Sequence, residues 1–374
     1  MSATAFSPLE RYFARRGVSR IEVTHGIATP KLFTDPAAEH MATRRAAGLF
    51  DFSFMTCIGI EGRDSLALLH RLQTRNLASL QDQRLAYSLL LRENGTVIND
   101  VTIWRIAADR YLLFTGRHDD LQHLAPLADG LAVSIDDRSR EQSVLAVQGK
   151  QAWAIIKRCF SAHAPGLPQQ LPYYGFVALT FDGNACLLAR IGYSGETGYE
   201  LVIAADAAPG LWDALLRAGA DRGIAECGFS AIDTLRIEAG HILFARELAL
   251  PVTPFEIGLA RLVDFYNAEC AGIAALRRTR WQAPARALAG LMIDERAAEL
   301  TRRADADLSA VAKGSALLTS VCLSPVLRRR IGLGFVAATD RRPGTRVRLE
   351  PGVSARVARL PFYDPGRFLA RRTR

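Results

Sequence analysis

Two carboxylates stand in segments that otherwise read as apolar β-strands: Asp100 in VINDVTIW and Glu200 in YELVIA. Asp and Glu are depleted in strands, and an ionised carboxylate without a partner is costly to bury. Each acid therefore needs either a partner or a functional role, such as proton handling or ligand binding. The structural alternatives are a strand-edge Asp100 bonded to a loop, and a Glu200 paired with Arg190 or Arg236.

Asp100 is predicted on the return strand of a β-hairpin. LAYSLLLR and TVINDVTIW read as its strands, and Asn94-Gly95 is a strong signal for the turn between them. A two-residue turn there places Tyr87 opposite Thr102, on the face that carries Asp100. Period-2 alternation puts the following residues on that face: Ile98, Asp100, Thr102 and Trp104.

The second acid follows a glycine-rich run, GYSGETGYEL, with Gly192, Gly195 and Gly198 at three-residue spacing. This spacing suggests a dinucleotide-binding loop, but that motif needs a helix directly after its glycines. Here the strand YELVIA follows, so we exclude a dinucleotide site. We expect a tight loop whose backbone approaches a flat or bulky group, with a simple turn as the alternative.

No nucleophile or metal motif accompanies these acids in the sequence. GxSxG, HExxH and a P-loop are absent, and six cysteines and seven histidines form no cluster with the spacing of metal ligands. We therefore predict no metal site. Tyrosines and a methionine can instead hold a flat heteroaromatic ring while a carboxylate binds its ring nitrogens. The candidates are Met55, Tyr87, Tyr174 and Tyr193.

The composition is that of an ordinary soluble globular protein, with 49% hydrophobic and 23% charged residues. No apolar run reaches the ~20 residues of a membrane helix, and the start of the chain lacks the apolar segment of a secretory signal. Singly spaced cysteines favour free thiols in a reducing cytoplasm. The net charge of +9 includes basic tracts at 327–332 and 370–374, without interleaved aromatic residues. We expect a cytoplasmic protein with no nucleic-acid or membrane partner.

An internal repeat predicts the domain organisation. TCIGIEGRDSLALLHRL and SVLAVQGKQAWAIIKRCF share a strand, a turn and an amphipathic helix. Further strands follow each of them, and then a helix, at HDDLQHLAPLADG in the first half and APGLWDALLRAG in the second. The C-terminal part consists of short alternating runs typical of an all-β module of five or six strands.

These patterns predict an α+β protein in three parts. Residues 1–140 and 141–280 form two pseudo-repeated α/β half-domains, and residues 281–374 form a C-terminal all-β barrel domain. The seam between the half-domains is the expected place for a pocket.

Several motifs, in this order, resemble the T-protein family, which comprises the tetrahydrofolate-dependent aminomethyltransferase of the glycine cleavage system and its relatives. They are AAGLFDFSFM, NGTVIND, LAVQGK, IGYSGETGYEL, IDTLRIEAG, PVTPFEIGL and PFY. The resemblance covers nearly the whole chain. It implies a three-domain ring around a central folate pocket, with tetrahydrofolate as the cofactor.

The resemblance also implies roles for individual residues. Asp100 falls on the family's catalytic aspartate, which acts on N5 of tetrahydrofolate by electrostatics and proton handling. Glu200 falls on the acid that binds the folate pterin, and Tyr193 on the tyrosine before it. The predicted cofactor-binding set is Met55, Tyr87, Tyr174, Tyr193, Glu200 and Arg236.

The sequence departs from the family's pattern at several positions. Asn99 replaces the first acid of I-D-D, Phe54 replaces a histidine, and Ile232 replaces a folate-pocket arginine. Ile273 stands where a lysine is usual. The resemblance leaves open which C-terminal arginine the family's site uses, among Arg367, Arg371 and Arg372.

The resemblance implies a tetrahydrofolate-dependent one-carbon transferase of the aminomethyltransferase type, with a lipoylated carrier protein as donor. The departures keep two alternatives open: a tetrahydrofolate-dependent demethylase of a small methylated compound, and a non-catalytic folate-binding protein. The branch that supports iron–sulfur assembly carries K-G-C-Y-x-G-Q-E, for which this chain has GHILFARELAL.

Overall fold

The computed structural model describes residues 5–7, 9–18, 21–24, 27–161, 167–294 and 307–371. The α-helices are Glu10–Arg15 (α1), Pro36–Arg45 (α2), Ser65–Leu72 (α3), Ala152–Phe160 (α4), Ala208–Gly219 (α5), Phe229–Glu238 (α6), Ile273–Thr279 (α7) and Phe368–Arg371 (α8). The strands before residue 140 are Ala5–Phe6 (β1), Ile21–Thr24 (β2), Ile27–Pro30 (β3), Ala47–Asp51 (β4), Thr56–Glu61 (β5), Arg84–Leu91 (β6), Val97–Ala107 (β7), Arg110–Thr115 (β8) and Ser134–Asp137 (β9). The later strands are Gln142–Gln148 (β10), Phe176–Phe181 (β11), Asn184–Ala189 (β12), Gly198–Ala204 (β13), Ile224–Glu226 (β14), Arg286–Ile293 (β15), Ala316–Ser324 (β16), Arg329–Ala337 (β17), Arg346–Glu350 (β18) and Val353–Ala358 (β19). Strands β1 to β3 form a small separate sheet.

The predicted hairpin is β6 and β7, in an antiparallel sheet of order β6-β7-β8-β5-β9. Tyr87 lies opposite Thr102, as predicted. The turn itself differs from the prediction, because the Arg92 N–H donates to the Thr96 carbonyl at 2.8 Å and leaves three residues in the loop. Gly95, the last of these residues, has φ +84°, a conformation that favours glycine.

A β-bulge at Ile98 compensates for the longer turn. The register of β6 and β7 shifts between Leu90 and Leu91, so Ile98 has no partner across the ladder. As a result, the prediction that Ile98 shares the face of Asp100 is wrong. Ile98 packs on the opposite face, in the cluster that contains Val101.

The second sheet has the order β11-β12-β13-β10-β4-β14. The predicted repeat is present, since β5 leads to α3 and β10 leads to α4. Strand β4 precedes β5 in the chain but pairs with β10 of the second sheet. We keep 1–140, 141–280 and 281–374 as a proposed division, in which the first half supplies one strand to the sheet of the second.

Both sheets contribute to one apolar cluster, which places the core between them. Leu85 and Trp104 come from the first sheet, and Ala146 and Val202 come from the second. The outer face of the second sheet packs against α4 and α5, and that of the first packs against α3. The two sheets therefore face each other across a shared layer, with helices outside.

The predicted helix at HDDLQHLAPLADG is not an α-helix. The segment forms two short 3₁₀ pieces, His118–His123 and Ala125–Ala128. Pro126 has no N–H to continue a helical ladder, and the buried Asp120 carboxylate is turned inward toward the sheet. The predicted helix at APGLWDALLRAG is confirmed as α5.

The C-terminal module is the predicted all-β domain, and its five strands in the described ranges follow the order β16-β17-β15-β19-β18. A single bridge between Ser315 and Arg348 joins the two edges of this sheet. The α+β prediction with a C-terminal β-domain is confirmed. No helix within the described ranges combines the length and apolar character needed to cross a membrane.

Arg44 joins these parts at a buried position. Its guanidinium donates to Glu196 at 3.1 Å and to Glu238 at 2.8 Å, and it lies 4.0 Å from the centre of the Tyr363 ring. Ser324 of the C-terminal module donates a hydrogen bond to Glu238. One arginine thus connects α2, the glycine-rich loop, α6 and the C-terminal module.

Candidate functional site

Asp100 lies deep in the protein but is not fully buried. The Tyr87 hydroxyl donates to its Oδ2 at 2.9 Å. Burial raises the pKa of Asp100 to about 6, against the lowering effect of the Tyr87 hydrogen bond. An acid with this pKa can exchange protons near neutral pH.

A buried polar network fixes the backbone behind Asp100. Asn99 accepts a hydrogen bond from the Asp100 N–H at 2.8 Å and donates to Asp120 at 2.5 Å and Thr115 at 2.7 Å. Asp120 is buried, and its charge contributes to the raised pKa of Asp100. The amide of Asn99 therefore has a structural role, because it donates a hydrogen bond to the buried carboxylate of Asp120. An ionised aspartate at position 99 would instead repel that carboxylate.

Glu200 lies in β13, between Ala146 of β10 and Ala189 of β12, on the side of the shared apolar cluster. Among the residues that the structure describes, none donates a hydrogen bond to its carboxyl group. Burial alone raises its pKa to about 8. Neither predicted arginine partner is used, since Arg190 donates to the Leu171 carbonyl at 3.0 Å and Arg236 bonds elsewhere.

Three tyrosines line the same space as Asp100. Burial raises the pKa of Tyr87 well above its usual value. Asp100, Tyr174 and Tyr193 raise it further, so these three residues lie close to Tyr87. Tyr174 stacks on Tyr173 with ring centres 4.5 Å apart. The Tyr193 hydroxyl donates to the carbonyl of Ile242. The side chains of the three lining tyrosines keep some accessible surface, as walls of a cleft would.

Met55 lies at the apolar end of this region. It packs against the shared cluster together with Phe54 and Phe229, whose rings meet edge to face at 5.6 Å. Ile232 is buried in the same cluster. Aromatic and aliphatic side chains thus occupy positions for which the resemblance gives a histidine and an arginine.

Arg236 occupies a structural position that differs from its predicted binding role. Its side chain is 1% exposed and donates to Asp233 at 2.8 Å and Glu247 at 3.1 Å. It also donates to the His241 carbonyl at 3.1 Å and to Ser320 of the C-terminal module at 2.8 Å. With its N–H groups engaged by protein, Arg236 supports the site and joins two domains.

The glycine-rich loop is tight, as predicted, and the flat group that it approaches is the Gln148 amide. A Cβ atom at Gly192 or Gly198 would overlap this amide, and Ser194 donates to Gln148 Oε1 at 2.9 Å. The loop therefore folds around a protein side chain. Its function is to hold Tyr193 and Glu200 in place at either end.

Of the C-terminal arginines that the structure describes, Arg367 lies near Tyr173 and Tyr174, and Arg372 lies outside the described residues. Burial lowers its pKa, as do Arg261 and Arg371, whereas Tyr173 and Tyr174 act in the opposite direction. Its side chain forms no ion pair with a described residue. The sequence left this choice open because Arg367, Arg371 and Arg372 lie within six residues.

The arrangement combines two acids with different surroundings. Asp100 can accept or return a proton near neutral pH, whereas Glu200 accepts no hydrogen bond from a described residue. Tyr87, Tyr174 and Tyr193 provide flat surfaces near Asp100, and Arg367 adds a positive charge suited to carboxylates. Asp120 was not identified from the sequence, because its segment lacked any motif.

Two family models match most of the chain. Residues 10–267 match the family model described as the GCVT N-terminal domain, and residues 286–364 match the glycine cleavage T-protein C-terminal barrel domain. The matched ranges contain Asp100, Glu200 and the C-terminal β-module.

Two curated relatives and one solved structure each match at least 89% of this chain. An aminomethyltransferase of Desulfitobacterium hafniense is 32% identical over 96% of this chain and 97% of its own length. One of Streptomyces coelicolor is 33% identical over 89% of this chain and 91% of its own. The crystal structure of the glycine cleavage system aminomethyltransferase T from Bartonella henselae superposes with a TM-score of 0.82 at 26% identity, covering 97% of this chain and 99% of that one.

Proposed function

The chain belongs to the glycine cleavage T-protein family, and from this membership we propose the roles of its site residues. It is a tetrahydrofolate-dependent one-carbon transferase of the aminomethyltransferase type. We propose that the donor is an aminomethyl group on a lipoylated carrier protein. The acceptor is N5 of tetrahydrofolate. The observation that carries the proposal is a pair of acids at the apolar layer between two sheets: Asp100, which accepts a hydrogen bond from Tyr87, and Glu200, which accepts none from a described residue.

Glu200 is proposed to hold the pterin ring. A pterin presents an amino group and a ring N–H side by side, and a carboxylate can accept from both. Glu200 is buried and accepts no hydrogen bond from the described part of the chain, so its need for donors fits this edge of the ligand. Tyr193, seven positions earlier, provides an adjacent aromatic surface.

Asp100 is proposed to act on N5 of the substrate. When N5 forms its new bond to carbon, it must lose a proton, and an ionised carboxylate can accept it. The Tyr87 hydrogen bond keeps the carboxylate oriented and favours its ionised form. Asp100 thus orients N5 and handles its proton without forming a covalent bond.

Arg367 is proposed to bind the carboxylate end of the folate. Tetrahydrofolate carries a glutamate beyond its aminobenzoyl group, and a guanidinium is well suited to a carboxylate. The position of Arg367 beside Tyr173 and Tyr174 supports this role. Arg236 is proposed to position the site from outside, through the backbone of His241.

One observation favours a second candidate, a tetrahydrofolate-dependent demethylase of a small methylated compound. Phe54, Phe229 and Ile232 form an apolar wall beside Met55. Such a wall suits a small methylated donor better than it suits a polar carrier arm. The two candidates share the folate site and differ only in the donor.

Product analysis distinguishes these candidates. The protein is incubated with tetrahydrofolate and either the aminomethyl-loaded lipoylated carrier or a panel of S-, O- and N-methyl compounds. Methylene-tetrahydrofolate with ammonia identifies the first function, and methyl-tetrahydrofolate identifies the second. If calorimetry detects no binding of tetrahydrofolate, both proposals are rejected. Binding without either product would indicate a non-catalytic folate-binding protein.

A further inference from the structure

His241 is a polar residue beside Tyr193 that the proposed mechanism does not use. Helix α6 ends at Glu238, and Gly240 then turns the chain with φ +69°. The His241 N–H donates to the Arg236 carbonyl at 2.8 Å, and Arg236 Nη1 donates back to the His241 carbonyl at 3.1 Å. The backbone of His241 is therefore held on both sides by one buried residue.

The imidazole ring is fixed against Tyr193. The two rings are nearly parallel, at 16°, with centres 5.6 Å apart. Tyr193 is itself held by its hydrogen bond to the carbonyl of Ile242, the residue after His241. The ring nitrogens of His241 have no hydrogen-bond partner within the described ranges, and the side chain keeps accessible surface. A ring that is rigid, deep and unpartnered in this way is available to a ligand.

The charge state of the ring defines what it can offer. Burial and the nearby cations Arg367, Arg236 and Arg44 lower the pKa of His241 to about 3. The ring is therefore neutral at physiological pH, with one N–H donor and one acceptor nitrogen. It is a poor general base, so a role in binding fits better than a role in proton transfer.

The charges near Asp100 and Glu200 differ from those near His241, and this difference indicates which part of the ligand each place suits. The acids Asp100 and Glu200 suit ligand groups that donate hydrogen bonds. Near His241, Arg236 and Arg44 are paired with carboxylates, whereas Arg367 forms no ion pair with a described residue, so this part of the site suits groups that accept hydrogen bonds. In a folate, the pterin carries the donors, whereas the aminobenzoyl-glutamate half carries an amide carbonyl and carboxylates.

We infer that His241 binds the aminobenzoyl-glutamate half of tetrahydrofolate, donating a ring N–H to its amide carbonyl and packing with Tyr193 against its ring. This inference rests on the proposed function, since it assigns a residue to the proposed substrate. On this inference, His241 is a binding residue through which the protein distinguishes folates from pterins that lack the aminobenzoyl-glutamate half.

The test compares two ligands by calorimetry: tetrahydrofolate, and 6-methyltetrahydropterin, which lacks the aminobenzoyl-glutamate half. His241→Phe keeps a ring beside Tyr193 and removes the N–H donor. We expect the Kd of tetrahydrofolate to rise about 3- to 10-fold, as for one lost hydrogen bond, and the Kd of the pterin to stay unchanged. His123→Phe, at a histidine in a different segment, should change neither value.

Further outcomes distinguish a failure of this inference from a failure of the proposed function. Equal weakening of both ligands places the contact on the pterin and overturns the inference, as does unchanged binding of both. If the native chain binds no tetrahydrofolate, the proposed function itself fails. If thermal unfolding shows that His241→Phe is misfolded, His241→Asn and His241→Gln provide the test, because an amide N–H in either position should retain part of the tetrahydrofolate preference. Loss of this preference in both folded amide variants would also overturn the inference.

Discussion

The Tyr87 hydroxyl donates a hydrogen bond of 2.9 Å to Asp100 Oδ2 from the neighbouring strand of the hairpin. Tyr87 pairs with Thr102, so it reaches Asp100 diagonally across the ladder, as long side chains can. The bond favours the ionised carboxylate, whereas burial favours the neutral acid. The balance between them sets the pH at which Asp100 becomes competent to accept a proton.

The acid limb of the pH–rate profile should follow this balance. We expect kcat/KM to fall below about pH 6 in the native protein as Asp100 becomes protonated. Tyr87→Phe removes a stabilising bond to the carboxylate and should move the limb upward, toward about pH 7. Tyr111→Phe, on the adjacent strand β8, is the control and should leave the limb in place. An acid limb at the same pH in Tyr87→Phe as in the native protein would contradict the role given to the Tyr87–Asp100 hydrogen bond.

Glu200 should destabilise the protein at alkaline pH. Its folded-state pKa of about 8 lies above its ordinary value of 4.5, so folding favours the protonated form. The native protein should therefore lose stability as the pH rises from 4.5 through 8, relative to Glu200→Gln. The variant should gain a few kcal/mol by about pH 9, since one pKa unit corresponds to about 1.4 kcal/mol. Urea denaturation at several pH values measures the difference, and a pH-independent difference would argue against a buried, unpaired Glu200.

Binding of tetrahydrofolate should release a proton from Glu200. At pH 7 this group is about nine-tenths protonated in the free protein, and donors from the pterin would favour its carboxylate form. We expect the release of close to one proton at pH 7 and of almost none at about pH 10. Calorimetry in buffers of different ionisation enthalpy counts these protons. Glu200→Gln should bind more weakly and release none, and an unchanged release would assign the proton to another group.

Arg236 should matter for stability more than for ligand contact. Arg236→Met leaves the buried carboxylate of Glu247 without its cation and should cost about 3–5 kcal/mol of unfolding free energy. Arg158→Met removes an ion pair to Asp221 that is exposed on both sides and should cost less than about 1 kcal/mol. Chemical denaturation of the two variants makes the comparison. Equal costs would show that the buried network contributes little to stability.

The sequence predicted those parts of the site that local pattern determines. Alternation alone placed Tyr87 near Asp100, because hairpin pairing follows from strand period and turn position. It also placed Glu200 within an apolar strand, which is β13. The turn length was wrong, yet the register at Asp100 was right, because the bulge at Ile98 restored it.

The remaining features depend on contacts between distant segments, which no local pattern encodes. The sequence places Arg236 in the cofactor-binding set, whereas its partners in the fold include Ser320, 84 positions away. The amide of Asn99 donates to Asp120, in a segment with the composition of a helix. The sequence predicts no role for His241, because the property that matters, its unpartnered ring beside Tyr193, exists only in the folded protein.

The most direct test of the central claim pairs turnover with binding in Asp100→Asn. The amide keeps the shape of the side chain but cannot accept a proton from N5. Rates are measured with tetrahydrofolate and whichever donor the native protein uses, and the Kd of tetrahydrofolate is measured by calorimetry on the same preparations. We predict a loss of turnover by at least about 100-fold, within the range for a lost general base, with the Kd changed by less than about threefold. A rate equal to that of the native protein would contradict the assignment of Asp100 as the group that handles the proton.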